Sequence, residues 1–175
     1  MGMINTYSPQ SVLVTISHRA TNTTHVVSGF KSDDFISIES PNSEIPTEKL
    51  REGDVTRTMH DDTDRKVTLK LDQGSASNDV LTALAKYDRA NMRGNKGIFT
   101  CTITDTSGRT YVNSSQCFLQ TPQTQGFGAN SGTREWVIIM VGCNSNIGGN
   151  SQLNLETQNI LEAFGITIDD TWKAG

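Results

Sequence analysis

The sequence has few of the residues that build metal centres, disulfide frameworks and rigid turns. It contains three cysteines, three histidines and four prolines among 175 residues. The cysteines, Cys101, Cys117 and Cys143, are odd in number and show no Cys-x-x-Cys spacing. Neither a disulfide framework nor a zinc site is indicated. We predict that all three are buried as small apolar side chains.

A long apolar run and a surplus of basic charge are also missing. No run approaches the roughly 20 apolar residues that a membrane-spanning helix needs, and residues 1–5 lack the basic and apolar regions of a secretory signal. We therefore expect synthesis in the cytosol without a membrane anchor. The net charge of -4 and the pI of about 5.3 argue against a basic surface that holds nucleic acid. Any contact with DNA should be transient.

Motifs for catalysis or cofactor binding are absent as well. The sequence has no Gly-x-Ser-x-Gly elbow and no Walker loop. The acidic run His60–Asp64 lacks the glycine and the distal glutamate of a calcium loop, so we interpret it as a solvated loop. His18 and His25 flank a predicted turn without a third ligand, which indicates surface histidines on a hairpin. The glycine-rich stretch 126–132 precedes a strand, which favours a flexible connection over a phosphate-binding loop. We predict no enzyme, no metal site and no cofactor.

What the sequence does contain is the alternation of apolar and polar residues that is typical of half-buried strands. Such alternation occurs at residues 12–16 and again at 67–71. The most apolar run, residues 136–141, is predicted to lie centrally in a sheet. The hydrophobic fraction of 34% is low and suits a small core completed by neighbouring subunits.

Two segments have helical spacing. Residues 77–92 place Val80, Leu84 and Tyr87 on one apolar stripe, which we predict to be the core face of a helix packed against the sheet. A shorter helix is predicted at residues 157–164.

The segment 40–65 is too long and too polar for a simple connection within a compact domain. It nevertheless contains Ile45, Leu50, Val55 and Met59, which are spaced among charged residues. This pattern indicates an arm that docks on another subunit, so we predict that these four are assembly residues.

The predicted fold class is mainly β: an antiparallel β-sandwich or open barrel with one packed helix, a long inter-subunit loop and a short C-terminal helix. We expect one domain at residues 1–150, of which 1–10 form an N-terminal arm and 40–65 an assembly loop. Residues 151–175 are predicted to form a C-terminal extension, with Trp172 as a further assembly residue.

A series of short segments provides a more specific signature than composition does. The segments are Tyr7-Ser8-Pro9, Phe35-Ile36-Ser37-Ile38-Glu39, Thr68-Leu69-Lys70-Leu71 followed by Ser77-Asn78-Asp79-Val80-Leu81, Asp105-Thr106-Ser107-Gly108, Gln120-Thr121-Pro122, Arg134-Glu135-Trp136 and Ile147-Gly148-Gly149-Asn150. Their order and spacing, over roughly residues 5–150, resemble those of the tail tube proteins of contractile-tailed bacteriophages.

The resemblance implies rings of six subunits whose strands join into an inner β-barrel, stacked inside a contractile sheath to conduct the genome into the host cell. It also implies the partners: further copies of the chain, the sheath protein, the tape measure protein, and the baseplate and tail-terminator proteins. The implied location is the virion tail, assembled in the host cytoplasm, and DNA would pass without specific binding.

Two alternatives remain open from the residues alone. An inner tube protein of a related phage-derived injection or secretion system would have the same fold. A monomeric ligand-binding β-sandwich would need an exposed aromatic patch, and the two tryptophans and three tyrosines are dispersed.

Overall fold

A computed structural model of the protein describes residues 6–31, 35–42, 45–120 and 125–174. Residues 1–5 of the predicted N-terminal arm, and Thr121 and Pro122 of one family segment, lie outside the described residues. No helix within those ranges is long and apolar enough to span a bilayer.

The described residues form ten strands, two α-helices and two short 3₁₀ turns. The strands are β1 (Val12–His18), β2 (Thr23–Val26), β3 (Ile36–Glu39), β4 (Thr47–Lys49), β5 (Val55–Arg57), β6 (Arg65–Asp72), β7 (Phe99–Asp105), β8 (Tyr111–Leu119), β9 (Thr133–Val141) and β10 (Asn144–Asn146). The helices are α1 (Ser77–Ala90) and α2 (Leu155–Ala163), and the 3₁₀ turns are Pro9–Ser11 and Asp170–Trp172.

The main sheet is antiparallel and has the order β2-β1-β7-β8-β9-β6-β3, with β10 paired to β8. Residues 27–31 draw its two sides together: Val27 N–H donates to Val14 O, and Lys31 N–H donates to Lys70 O on β6. The sheet is thereby curled into an open barrel, and the prediction of a mainly β antiparallel fold is confirmed. The apolar run at 136–141 lies in β9, between β8 and β6, as predicted.

The core forms where the alternating strands turn their apolar side chains to one face. Val67, Leu69 and Leu71 of β6 are fully buried, and the polar residues between them are not. Helix α1 adds Leu81, which is also fully buried, while Leu84 packs against the edge of the same cluster. Fully burying one such aliphatic side chain contributes about 2 kcal/mol.

The predicted burial is correct for the three cysteines and wrong for His18. Cys101, Cys117 and Cys143 are buried free thiols, as predicted. His18 was expected at the surface but is only 2% exposed. Its Nδ1 is hydrogen-bonded to Thr21 Oγ1 and its Nε2 to Lys96 O, each at 2.7 Å. The imidazole can be buried because both ring nitrogens have partners.

The strand directions define two ends of the barrel. At the first, which we call the helix end, β1 finishes at His18, α1 finishes at Ala90 and β7 begins at Phe99. At the other, the turn end, β1 begins and β7 leads through residues 106–110 into β8. The turn end also receives the residues that follow β10.

Candidate functional site

The predicted assembly loop forms a β-hairpin that stands away from the barrel. Strands β4 and β5 pair with each other as a separate two-stranded sheet, and residues 45–61 are all exposed. Val55 and Met59 are 64% and 71% exposed, and Ile45 and Leu50 are exposed as well. The structure therefore gathers the four predicted loop residues on one element, the projecting hairpin (residues 45–61).

Hydrogen bonds within the described part of the projecting hairpin stay inside it. Leu50 N–H donates to Asp54 O at 2.8 Å, and Thr58 N–H donates to Pro46 O at 3.0 Å. Just beyond it, Asn42 Nδ2 donates to Asp62 Oδ2 at 3.1 Å. The hairpin thus has internal structure but no packing against the barrel core among the described residues.

The acidic run beside the projecting hairpin braces the backbone. Asp62 Oδ1 accepts from Asp64 N–H, and Asp64 Oδ1 accepts from Gly142 N–H at 3.0 Å. These carboxylates therefore tie the base of the hairpin to the turn after β9. In the described ranges, His, Cys, Asp and Glu side chains form no cluster that could hold a metal ion.

The predicted core face of α1 borders a cleft of about 430 Å³. Val80, Leu84 and Tyr87 are half-buried there, opposite the β1–β2 hairpin. The ring of Tyr87 meets the His18 ring edge-on, with centroids 5.1 Å apart. Leu81, one residue from the predicted stripe, is the α1 aliphatic residue that the barrel buries completely.

Two of the short sequence segments, residues 77–81 and 134–136, meet at the start of α1. Trp136 Nε1–H donates to Asn78 Oδ1 at 2.9 Å, and Asn78 Nδ2 donates to Asp72 O at 2.9 Å. Ser77 Oγ accepts from Ser28 N–H at 3.0 Å. These polar residues thus fix the helix to β9 and to residues 27–31, the segment between β1 and β6, a structural role that their spacing alone did not reveal.

Two more of these segments, residues 105–108 and 147–150, interlock at the turn end. Asn150 Nδ2 donates to Asp105 Oδ2 at 3.1 Å and to Ser107 Oγ at 3.0 Å. Burial opposes ionisation of Asp105, but the hydrogen bonds from Ser107 and Asn150 hold the pKa of Asp105 below its ordinary value. A Cβ at Gly148 would lie 2.5 Å from the Cβ of Arg109, so the close approach requires glycine.

Arg109 also attaches the C-terminal extension to the turn end. Its Nη1 donates to Ser151 O at 2.6 Å, and its guanidinium lies 4.9 Å from the centre of the Trp172 ring. Leu153 N–H donates to Trp172 O, which joins the beginning of the extension to its end. Trp172, predicted as an assembly residue, is therefore half-buried against its own chain. Sequence reasoning missed Arg109.

A third anchoring point joins the end of β6 to the neighbouring loops. Lys31 Nζ lies 2.8 Å from Asp72 Oδ1, and Asp72 also accepts from Ser131 Oγ and Gly74 N–H. The hydrogen bond from Lys31, followed by those from Ser131 and Gly74, holds the pKa of Asp72 far below its usual range. The carboxylate therefore connects three separate segments.

The thiols are unsuited to nucleophilic chemistry. Burial raises the pKa of Cys117 to about 11 and also raises the pKa of Cys101. Since the thiolate is the reactive form, these side chains act as packing groups at neutral pH.

Comparisons with known proteins show the family to which the chain belongs. A family model described as the bacteriophage PhiTE tail tube protein matches residues 4–148. Structural protein ORF10 of Pseudomonas phage KPP10 is 34% identical over 172 residues, which cover 98% of either chain.

Two solved structures are similar at low sequence identity. The tube-terminating cap of the anti-feeding prophage aligns with a TM-score of 0.51 and 11% identity, over 83% of this chain and 94% of the cap. The sheath/tube terminator of an extracellular contractile injection system aligns with a TM-score of 0.49 and 12% identity, over 83% of this chain and 100% of the terminator. The likeness to the cap shows a shared fold.

Proposed function

Because this chain belongs to the bacteriophage PhiTE tail tube protein family and is a structural subunit of a phage tail tube, we propose that it assembles as stacked hexameric rings. In the proposed tube, strands of six subunits continue one inner β-barrel around a hollow lumen. A contractile sheath surrounds the tube, and the genome passes through it into the host cell.

The observation that carries the proposal is the exposure of the projecting hairpin. Four large apolar residues on a solvated two-stranded element gain nothing from their own barrel, and an isolated two-stranded hairpin is marginal in water. A neighbouring subunit that covers them would supply the missing burial. The hairpin therefore has the properties expected of an arm that completes its packing on assembly.

The sheet edges support the ring. Strands β2 and β3 stand at the two ends of the sheet order, and the described residues of β3 beyond Ile36 are exposed. Free edges pair readily with strands of another chain. If the β3 edge of one subunit pairs with the β2 edge of the next, and the rotation between subunits returns to the first, the subunits form a closed ring.

The remaining parts of the proposal follow from this role. The lumen is neutral to negative, despite local lysines such as Lys66 and Lys70, because a wall that binds phosphate would slow the passage of DNA. The protein acts without catalysis. It is made in the host cytoplasm and ends in the virion tail, where it meets sheath, tape measure, baseplate and tail-terminator proteins.

Deletion of Pro46–Val55 tests the proposal. We expect the purified wild-type chain to form tubes in negative-stain micrographs, and the deletion variant to remain folded by circular dichroism without forming tubes. A second variant, in which a Gly/Ser linker of equal length replaces the same ten residues, controls for a shortened connection. Normal tubes from both variants would remove the hairpin from assembly. Discrete small particles from the wild-type chain would instead favour a monomeric binding protein.

A further inference from the structure

Two regions of the chain carry net charges of opposite sign. Residues 151–175 contain four acidic residues and one basic residue, a net charge of -3. Residues 86–96 contain four basic residues and one acidic residue, a net charge of +3. The total of -4 reveals neither.

These two regions lie at opposite ends of the barrel. Residues 86–96 cover the last turn of α1 and the connection to β7, so they form the helix end. The extension is attached at the turn end, through Arg109. Strand β7 has seven residues and leads from the first region to the turn that holds the second, a span of roughly 20 Å.

The acidic extension presents an apolar surface. On α2, Glu156, Ile160 and Phe164 follow at intervals of four residues, so they form one row, and all three are exposed. Phe164 is 80% exposed. A nine-residue helix is marginal on propensity alone, and a row of this kind gains stability when another surface covers it.

The basic helix end also lacks partners in its own chain. Lys86, Arg89, Arg93 and Lys96 are exposed, and within the described ranges none of the four forms an ion pair with a side chain of the same chain. Met92 lies among them and is 79% exposed. Exposed apolar side chains therefore accompany both local charges: Met92 in the region of net charge +3, and Ile160 and Phe164 in the region of net charge -3.

We infer that the acidic extension docks on the basic helix end of a second copy, joining subunits head to tail. Two extensions would repel each other, as would two helix ends, so the charges favour contact between unlike ends. Such a contact is heterologous and can propagate along a polymer. The inference rests on the proposed function and adds the surface and the polarity of one contact between copies.

Charge reversal at each end tests the contact. We expect Glu156→Lys combined with Glu162→Lys to raise the critical concentration for tube formation about tenfold, because the net charge of residues 151–175 would change from -3 to +1 and the extension would then repel the basic end. Arg93→Glu combined with Lys96→Glu should have a similar effect. A chain that carries all four changes has both signs reversed, so it should regain tube formation. Pelleting by ultracentrifugation and negative-stain microscopy measure the three variants.

Matched controls separate charge from structural damage. Glu156→Asp with Glu162→Asp, and Arg93→Lys with Lys96→Arg, keep the charges and should assemble as the wild type does. Normal tubes from either reversed pair, or a folded four-change chain that fails to assemble, would overturn the inference while leaving the proposed function standing. A wild-type chain that forms no tubes would instead contradict the proposed function itself.

Discussion

The projecting hairpin and the C-terminal extension both expose large apolar side chains, but they are attached to the barrel differently. The extension is held by Arg109, which contacts both Ser151 and Trp172. The backbone hydrogen bonds of the hairpin join β4 to β5, within the hairpin itself. A surface that is already anchored loses little conformational entropy on docking, whereas an unanchored arm loses more. The comparison therefore separates a region that is anchored within its own chain from one whose packing, as we propose, is completed by assembly.

The largest loss of unfolding free energy is expected on helix α1, which packs against the barrel core. Because Leu84 packs against the buried cluster, Leu84→Asp would place a carboxylate beside apolar side chains and should cost about 3 kcal/mol of unfolding free energy. Urea unfolding followed by circular dichroism measures the loss. Ala83→Asp adds the same charge at an exposed neighbouring position and should cost much less. Equal effects from the two variants would mean that α1 is not packed as described.

A smaller effect is expected where the extension is anchored. Arg109→Ala removes a charged hydrogen bond and a cation–π contact, together worth about 2 kcal/mol. The emission of Trp172 should shift to the red, and amide exchange in residues 151–174 should accelerate. Arg51→Ala, on the projecting hairpin, is the matched control and should leave both signals unchanged. Unaltered exchange in the Arg109 variant would show that the extension is held by other contacts.

How far these regions could be predicted depends on the physical signal in each. Strict alternation at Val67, Leu69 and Leu71 predicted β6, because one face of a strand must be apolar to be buried. Strands β4 and β5 have three residues each and are wholly exposed, so no alternation marks them. The meeting of Asp105 with Asn150 depends on topology, which spacing does not contain. The charged ends were missed because a net charge averages over the whole chain.

The Asp72 anchor should give a modest dependence on pH. Its pKa is lowered in the folded state, so its stabilising contribution is present above the ordinary value of 3.8 and is lost as the pH falls toward the depressed pKa. Asp72→Asn should therefore flatten the fall in wild-type stability between about pH 5 and pH 2. Glu39→Gln is the control, because Glu39 is more exposed than Asp72 and its Oε1 lies 3.8 Å from Lys66 Nζ. This variant should keep the pH profile of the wild type. Identical pH profiles for Asp72→Asn and the wild type would exclude Asp72 as an anchor.

The smallest effect on folding is expected at the projecting hairpin, and it should accompany the loss of assembly. Val55→Asp combined with Met59→Asp changes two exposed side chains, so the unfolding free energy of the monomer should move by less than about 0.5 kcal/mol. Tube formation should nevertheless be lost, because a neighbouring subunit would have to bury two new charges. Thr58→Asp lies just outside the paired positions of β5 and adds charge without removing an apolar group, so it should retain tubes. If the double variant assembled normally, the hairpin would have no more part in subunit contact than any other exposed loop, and its difference from the extension would be one of folding alone.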